Sequence, residues 1–313
     1  MSRAGLLVPM FVLAALAACR DVAPALDAAP DSDGFLYPPP RTDVVPAVGS
    51  PDTLEIAAWN IENFPAEANT PGYVADLITS LDLDVILVEE IASETAWKEL
   101  LDRLREHDGV LSTHRYNATD YQKIGVIYRT SMVTPGAMTL LFSTDSYAFP
   151  RPPLSLPLAI DDHVHAPLQL EVIGVHLKAG VGQQDGERRK LAVEAIDTHL
   201  RAQIDGGGED EVVLAGDYNE IVSTVEGRNN LAAILTAPDR YTLQTQPNAT
   251  NNEISFVPSS RLLDHITTTT GLAAELTGAR VVIPRLHAIY SGYVAHVSDH
   301  LPVVLVAPLP PAP

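Results

Sequence analysis

The chain has 313 residues, 46% hydrophobic and 19% charged, a globular composition with enough apolar side chain for a sizeable core in one large domain or two ordinary ones. A formal charge of −20 excludes a broad basic footprint for nucleic acid or anionic lipid, so any polyanion must be drawn in locally, by bound divalent metal and a few basic side chains. The one cysteine, Cys19, excludes an intramolecular disulfide, so core packing alone has to hold the fold.

Residues 1–18 carry a basic residue, an apolar stretch and then small residues, the architecture of a secretory signal and too short to span a membrane. Leu16-Ala-Ala-Cys19 resembles a bacterial lipobox, which implies a diacylated Cys19 and a protein anchored in the cell envelope, on the periplasmic side or the outer membrane surface. Ordinary cleavage and secretion is the alternative. Residues 19–52 are rich in Pro, Ala and Asp without helical or strand period, and read as an unfolded spacer. The folded domain is expected over 53–307, with a Pro-rich tail over 308–313.

Within that domain a β-rich run from Leu54 to Phe64 leads, followed by helical spacing over Tyr73–Leu81 and a strand over Leu83–Glu90. A helix over Glu94–Glu106 presents Trp97, Leu100, Leu101 and Leu104 on one face. Strands are expected at Lys123–Tyr128 and Ala137–Phe142, then a proline-rich crossing from Phe149 to Pro157 and paired strands at Pro157–Ile160 and Leu168–His176. His163 and His165 read as a polar hairpin tip between that pair. A second long helix over Gly186–Leu200 has Leu191, Ala195, Ile196 and Leu200 as its inner stripe, and Gly206-Gly-Gly208 releases the chain into a strand ending at Asp217. Further strands carry Asp264 and follow His300. Mixed local and crossover connections, with helices in both halves, predict two mixed β-sheets packed face to face with helices outside, a four-layer α/β sandwich.

Polar residues able to bind metal or move protons adjoin these apolar runs: Asn60, Glu90, His176, Asp217 with Asn219, Asp264, and Asp299 with His300. Strand ends are where α/β folds place their chemistry. Asp217 and Asn219 are two apart and face one side of extended backbone, although a plain turn explains them as well. Glu90 closes an apolar run and needs a partner that Mg²⁺ or Ca²⁺ would supply. Its neighbour Glu89 is expected to point to solvent. His300 suits a general base if a carboxylate fixes its tautomer, and Asp264 is the candidate for that task. His176 is followed by Lys178 and Gly180, a basic group and a flexible loop for a phosphate; Arg188 and Arg189 open the next helix and read either as a solvated face or as phosphate contacts.

Taken in order, these motifs resemble the endonuclease/exonuclease/phosphatase superfamily, and most closely its deoxyribonuclease I-like branch. The run to Asn60 is similar to the family's opening strand, Asp84–Glu90 to the strand ending in its metal-binding glutamate, with Glu89 where glutamine is usual, and Gly174-Val-His176 to the branch's first catalytic histidine. Gly216-Asp-Tyr-Asn219, Leu263-Asp264-His-Ile266 and Ser298-Asp-His-Leu-Pro-Val303 match the remaining motifs. Gln122 and Lys123 stand where the branch has an acid that orients that histidine, which leaves His176 as either a proton donor or a phosphate contact.

The resemblance implies a deoxyribonuclease I-like fold and a Mg²⁺-dependent phosphodiesterase, with Mn²⁺ or Ca²⁺ as alternatives. Asn60, Glu90 and Asp299 would hold the metal, Asp264 would orient His300, and His300 with Asp217 would activate water. Asn219 and His176 would contact the phosphoryl group, and Lys178, Arg188 and Arg189 the rest of the substrate. Nucleic acid is the favoured substrate, an endonuclease acting as a monomer the expected form, and a phospholipid or inositol-phosphate hydrolase the alternative. A surface-binding lipoprotein without catalysis is a third reading, disfavoured by retention of the whole set.

Overall fold

The computed structural model describes residues 36–115 and 122–311; Cys19 and the leader lie outside the described residues. In chain order the elements are β1 (Thr53–Phe64), α1 (Thr70–Leu81), β2 (Val85–Ile91), α2 (Glu94–Arg103), β3 (His107–Leu111), β4 (Lys123–Arg129), β5 (Val133–Pro135), β6 (Thr139–Leu140), β7 (Leu154–Ile160) and β8 (Leu168–His176). Then come α3 (Gln183–Asp205), β9 (Val212–Asp217), α4 (Val225–Asn230), α5 (Ala232–Leu235), β10 (Tyr241–Leu243), α6 (Gln246–Thr250), β11 (Asp264–Thr269), a 3-10 turn (Thr270–Ala273), β12 (Arg280–Val282), α7 (Leu286–Ile289), α8 (Tyr293–His296) and β13 (Val303–Pro308). They form a six-stranded sheet in the order β12-β13-β1-β2-β4-β3 and a seven-stranded sheet in the order β10-β11-β9-β8-β7-β5, with β6 paired to β7. Two mixed sheets packed on each other and flanked by helices give the expected sandwich.

The central strands are buried on both faces, which is why their sequences run nearly continuously apolar rather than alternating. Gly174 on β8 lets the sheets approach: a Cβ there would meet Ile124 Cγ2 at 2.8 Å and Leu87 Cδ2 at 3.4 Å. Helix α1 opens with Pro71 in its first turn and stops where Asp82 turns left-handed at φ 58°, its N–H returned to Ile78 O and Thr79 O. In α2, Ser93 caps the first turn by accepting from Ala96 N, and the helix ends at Arg103, three residues before the expected Glu106.

Several expectations shift. The strand expected over Ala137–Phe142 contracts to Thr139–Leu140; Phe142 turns away at φ 52° and stacks on Phe149 at 4.5 Å. The inner face of α3 is Ala192, Val193, Ile196 and Leu200, whereas Leu191 faces outward. The short strands β3, β5, β10 and β12 lack an apolar pattern and went unmarked in the sequence.

The spacer expected to be unfolded up to residue 52 is, from residue 36 on, a strap bonded to the body. Val44 N donates to Ser80 Oγ (3.2 Å), Val48 N and Gly49 N donate to Leu81 O (2.9 and 3.0 Å), and Val45 is buried. Arg103 lies over the Tyr37 ring at 4.1 Å. The tail is held too: Leu309 N donates to Asp52 O (2.9 Å), and Pro310 O accepts from Ala166 N (3.0 Å).

Candidate active site

Strand direction gathers the polar ends. β1 runs parallel to β2, and β8 parallel to β9, so Asn60, Glu90, His176 and Asp217 all finish at one edge of the sandwich. β11 is antiparallel to β9 and begins there, with Asp264 directly opposite Asp217, while β13 is antiparallel to β1, so the turn before it brings Asp299 and His300 to the same edge. The backbone bends sharply at this rim. Glu62, Asn63, Glu90 and Asn219 have φ of 39°, 46°, 65° and 51°, a concentration of left-handed non-glycine residues typical of functional sites. Gly216 has φ 144°, and a Cβ on it would come within 1.9 Å of Val175 O.

Asp217 Oδ2 is the hub. Asn60 Nδ2 donates to it at 3.2 Å and to Glu90 Oε1 at 3.2 Å, His176 Nε2 lies 3.6 Å away and His300 Nε2 3.9 Å. The other Asp217 oxygen accepts from Asn219 N at 2.7 Å, and Asn219 Nδ2 donates to Leu177 O at 3.3 Å. His300 Nδ1 lies 2.8 Å from Asp264 Oδ2, a buried pair that leaves Nε2 facing the hub. Asp299 Oδ1 is 3.9 Å from that Nε2, and Asp299 N donates to Glu62 Oε2 at 3.0 Å.

The electrostatics follow from burial and crowding. Burial, then repulsion by Asp264, raises the Asp217 carboxyl to about 7. Burial works against a charge on His300, but the Asp264 carboxylate, by charge and hydrogen bond, prevails and raises the imidazole to about 10. His176 is pushed well below its usual value by burial, and further by the positive charges of Arg151 and His300. Glu62 and Asp299 are both raised, by burial first and then by neighbouring carboxylates, Glu90 among them.

These residues suit a hard divalent cation. The Glu90 carboxylate helps raise both Glu62 and Asp299, and a cation with oxygen ligands relieves that repulsion. Asp217, Asp264 and His300 also offer ligand atoms within 4.8 Å of one another. There the direct Nδ1–Asp264 contact makes Asp264 a partner of the imidazole.

The other expected residues divide. Arg189 is not at the site: its buried guanidinium pairs with Glu220 Oε2 at 2.7 Å and donates to Lys178 O and Gly180 O at 2.8 Å each. It ties the loop after His176 to α3, a role the preceding Arg188 does not share. Arg188 Nε donates to Tyr147 O at 2.6 Å, with the guanidinium 5.0 Å from the Tyr147 ring, just before the proline-rich crossing. Lys178 is paired with Asp185 at 3.1 Å. His165 bonds Asp162 at 2.7 Å on the hairpin tip, away from the site.

Glu89 does not reach solvent. It is wholly buried, neither carboxylate oxygen has a partner among the described residues, and burial followed by Asp264, Asp217 and Glu90 raises its pKa well above the usual range. A strand in the middle of a sandwich has no solvent face for an alternating residue to find. Gln122, in the place of the expected acid, donates to Asn63 Oδ1 at 2.7 Å and accepts from Arg151, while Asn63 N donates to Glu90 Oε2 at 2.9 Å. Lys123 turns away to Ser112 O and Glu94. His176 Nδ1 accordingly has no partner among the described residues.

Sequence reading missed Glu62 and Arg151. Two-residue alternation from Asn60 could have found Glu62; nothing local marks Arg151, which reaches the rim only because the crossing folds over it.

The model of the endonuclease/exonuclease/phosphatase family matches residues 57–300. No curated protein matches the sequence. Among solved structures, an endonuclease/exonuclease/phosphatase of Bacteroides vulgatus is 16% identical, with TM-score 0.58 over 82% of this chain and 99% of that one. TDP2 of D. rerio, solved with a single strand DNA product, is 14% identical, with TM-score 0.57 over 82% and 98%. The mannosyl-6-phosphatase Bt3783 of Bacteroides thetaiotaomicron is 13% identical, with TM-score 0.54 over 80% and 98%. At these identities the likeness is one of fold.

Proposed function

Because the chain belongs to the endonuclease/exonuclease/phosphatase family, whose members are metal-dependent phosphoesterases, we propose that it is a Mg²⁺-dependent phosphodiester hydrolase. Nucleic acid is the favoured substrate, and a lipid on Cys19 holds the enzyme at the bacterial cell envelope. The observation that carries the reaction class is the Asp217 carboxylate, met from three other strand ends by Asn60, His176 and His300 within 3.2 to 3.9 Å. Glu90, Asp299 and Asn60 would hold the divalent cation, which when bound would supply Lewis-acid polarisation of the phosphoryl group.

The protein's own groups do the remainder. With its carboxyl raised to about 7, Asp217 is poised to take a proton from an attacking water near neutral pH. His300, held charged by Asp264, faces the negative charge that develops on the phosphoryl oxygens. His176 is neutral and contacts the phosphoryl group, and Asn219 orients Asp217 through its backbone N–H. Arg151 supplies the positive charge at the mouth.

One observation favours a second, smaller substrate. Lys178 and Arg189 are held in ion pairs and Arg188 serves backbone carbonyls, so a long polyanion finds little basic surface among the expected contacts. An inositol phosphate or phospholipid headgroup needs less. Mg²⁺-dependent turnover of DNA, RNA, sphingomyelin and inositol phosphates, with His300→Ala as the blank, decides between them. Turnover surviving in His300→Ala would sink the site assignment.

A further inference from the structure

Ser255 lies outside every strand and helix, nine residues before Asp264, and is completely buried. Its Oγ accepts from two backbone groups, Leu263 N at 3.0 Å and Asp264 N at 3.1 Å. A hydroxyl has two lone pairs and one proton, so with both lone pairs taken the proton has a single destination. Asp264 Oδ2 lies 2.5 Å from the same Oγ. That carboxylate oxygen is the one His300 Nδ1 meets at 2.8 Å, and the other, Oδ1, has no partner among the described residues.

The backbone of Ser255 reinforces the arrangement. Ser255 N donates to Arg261 O at 2.9 Å, and Ser255 O accepts from Leu301 N at 2.7 Å, so the residue clasps the start of β11 and the histidine's own turn together. Phe256, the next residue, packs on the His300 ring at 4.8 Å between centroids.

We propose that Ser255 is a positioning residue for the reaction: through its one available proton it sets the rotation of the Asp264 carboxylate and, through that oxygen, the tautomer and direction of His300. Without the hydroxyl, Asp264 Oδ2 keeps His300 as its only side-chain partner among the described residues, and the carboxylate is free to rotate or to turn Oδ1 toward the imidazole. The proposal rests on the reading of His300 as a participant in phosphodiester hydrolysis.

The test compares Ser255→Ala with Ser255→Thr, which keeps the hydroxyl, and with Ser255→Cys, of similar shape and a far weaker donor. The first readout needs no turnover. The His300 Nδ1–H proton resonance, assigned by its absence in His300→Ala, is expected to shift in the Ala and Cys variants and to return in Thr. The second is kinetic, on a chromogenic phosphodiester with Mg²⁺: kcat falls about tenfold or more in Ala and Cys with KM within about twofold, and Thr recovers most of it. A resonance unmoved in both Ala and Cys overturns the proposal, and so does a moved resonance with unchanged kcat. A moved resonance in a protein that hydrolyses no phosphodiester would instead overturn the hydrolase reading and leave the Ser255–Asp264–His300 linkage established.

Discussion

Asn60 and Asp217 belong to different sheets, yet Nδ2 of the first lies 3.2 Å from Oδ2 of the second. The same Nδ2 is 3.2 Å from Glu90 Oε1, so one amide separates two carboxylates that would otherwise repel across the sandwich edge. Asn60 is thus both a seam between the sheets and a spacer in the site. Asn60→Ala is expected to lower turnover on the order of a hundredfold and to raise the Mg²⁺ concentration needed for half-maximal activity by about tenfold. An unaltered Mg²⁺ dependence would remove Asn60 from the metal group.

Arg189 belongs to stability. Its guanidinium and the Glu220 carboxylate are both buried, and Asn230 shares the same Glu220 oxygen at 2.8 Å. Truncating one partner of a buried pair strands the other charge, at a cost of about 3–5 kcal/mol. Arg189→Ala is expected to lose that much in urea unfolding. A variant as stable as the wild type, binding nucleic acid more weakly, would return Arg189 to the substrate-contacting group.

Arg151 acts on His176 through charge, and its removal has a signed consequence. The guanidinium disfavours the imidazolium, so Arg151→Met is expected to raise the His176 pKa while burial keeps it below the ordinary value. If Arg151 contacts the substrate phosphate as proposed, its loss is also expected to raise KM about tenfold with a smaller change in kcat. NMR titration of the His176 ring is the direct check, and a fall in its pKa contradicts the placement.

At the opposite end of β1, burial first and then the Asp84 carboxylate raise the Glu55 carboxyl from 4.5 to about 8. Between those values the folded protein binds more protons at Glu55 than the unfolded chain does, so stability falls as pH rises across that window and levels above it. The stability contributed by the protonated form is complete below 4.5 and gone above about 8. Glu55→Gln removes this dependence. Its melting temperature is expected to gain on the wild type from pH 5 to 8 and to hold a constant lead beyond. A difference independent of pH would show that Glu55 ionises normally in the fold.

Much of this is legible in the sequence. The apolar runs ending in Asn60, Glu90, His176 and Asp217 mark strands that lead to one edge, because parallel neighbours finish together. Helices α1 and α2 announce themselves by the helical spacing of their apolar residues. Asp217-x-Asn219 and Asp299-His300 are short-range patterns, so their chemistry could be read from composition and order. The strap over 36–52 escaped because backbone N–H groups meeting Ser80 and Leu81 leave no hydrophobic period behind.

What the sequence by itself determined was the kind of chemistry: a sandwich whose strand ends carry amides, acids and histidines for a hard metal and a phosphoester. Only the tertiary structure decided where each side chain lies. Glu89 and Glu90 are adjacent, yet one is sealed between the sheets and the other lies at the rim, since alternation assigns faces but cannot say what covers them. Arg188 and Arg189 are equally cationic, and only packing against Glu220 buries one of them. Ser255 and Asp264 lie nine residues apart across an irregular loop, a separation with no period to betray it, and a hydroxyl's single proton acquires a destination only when the loop closes.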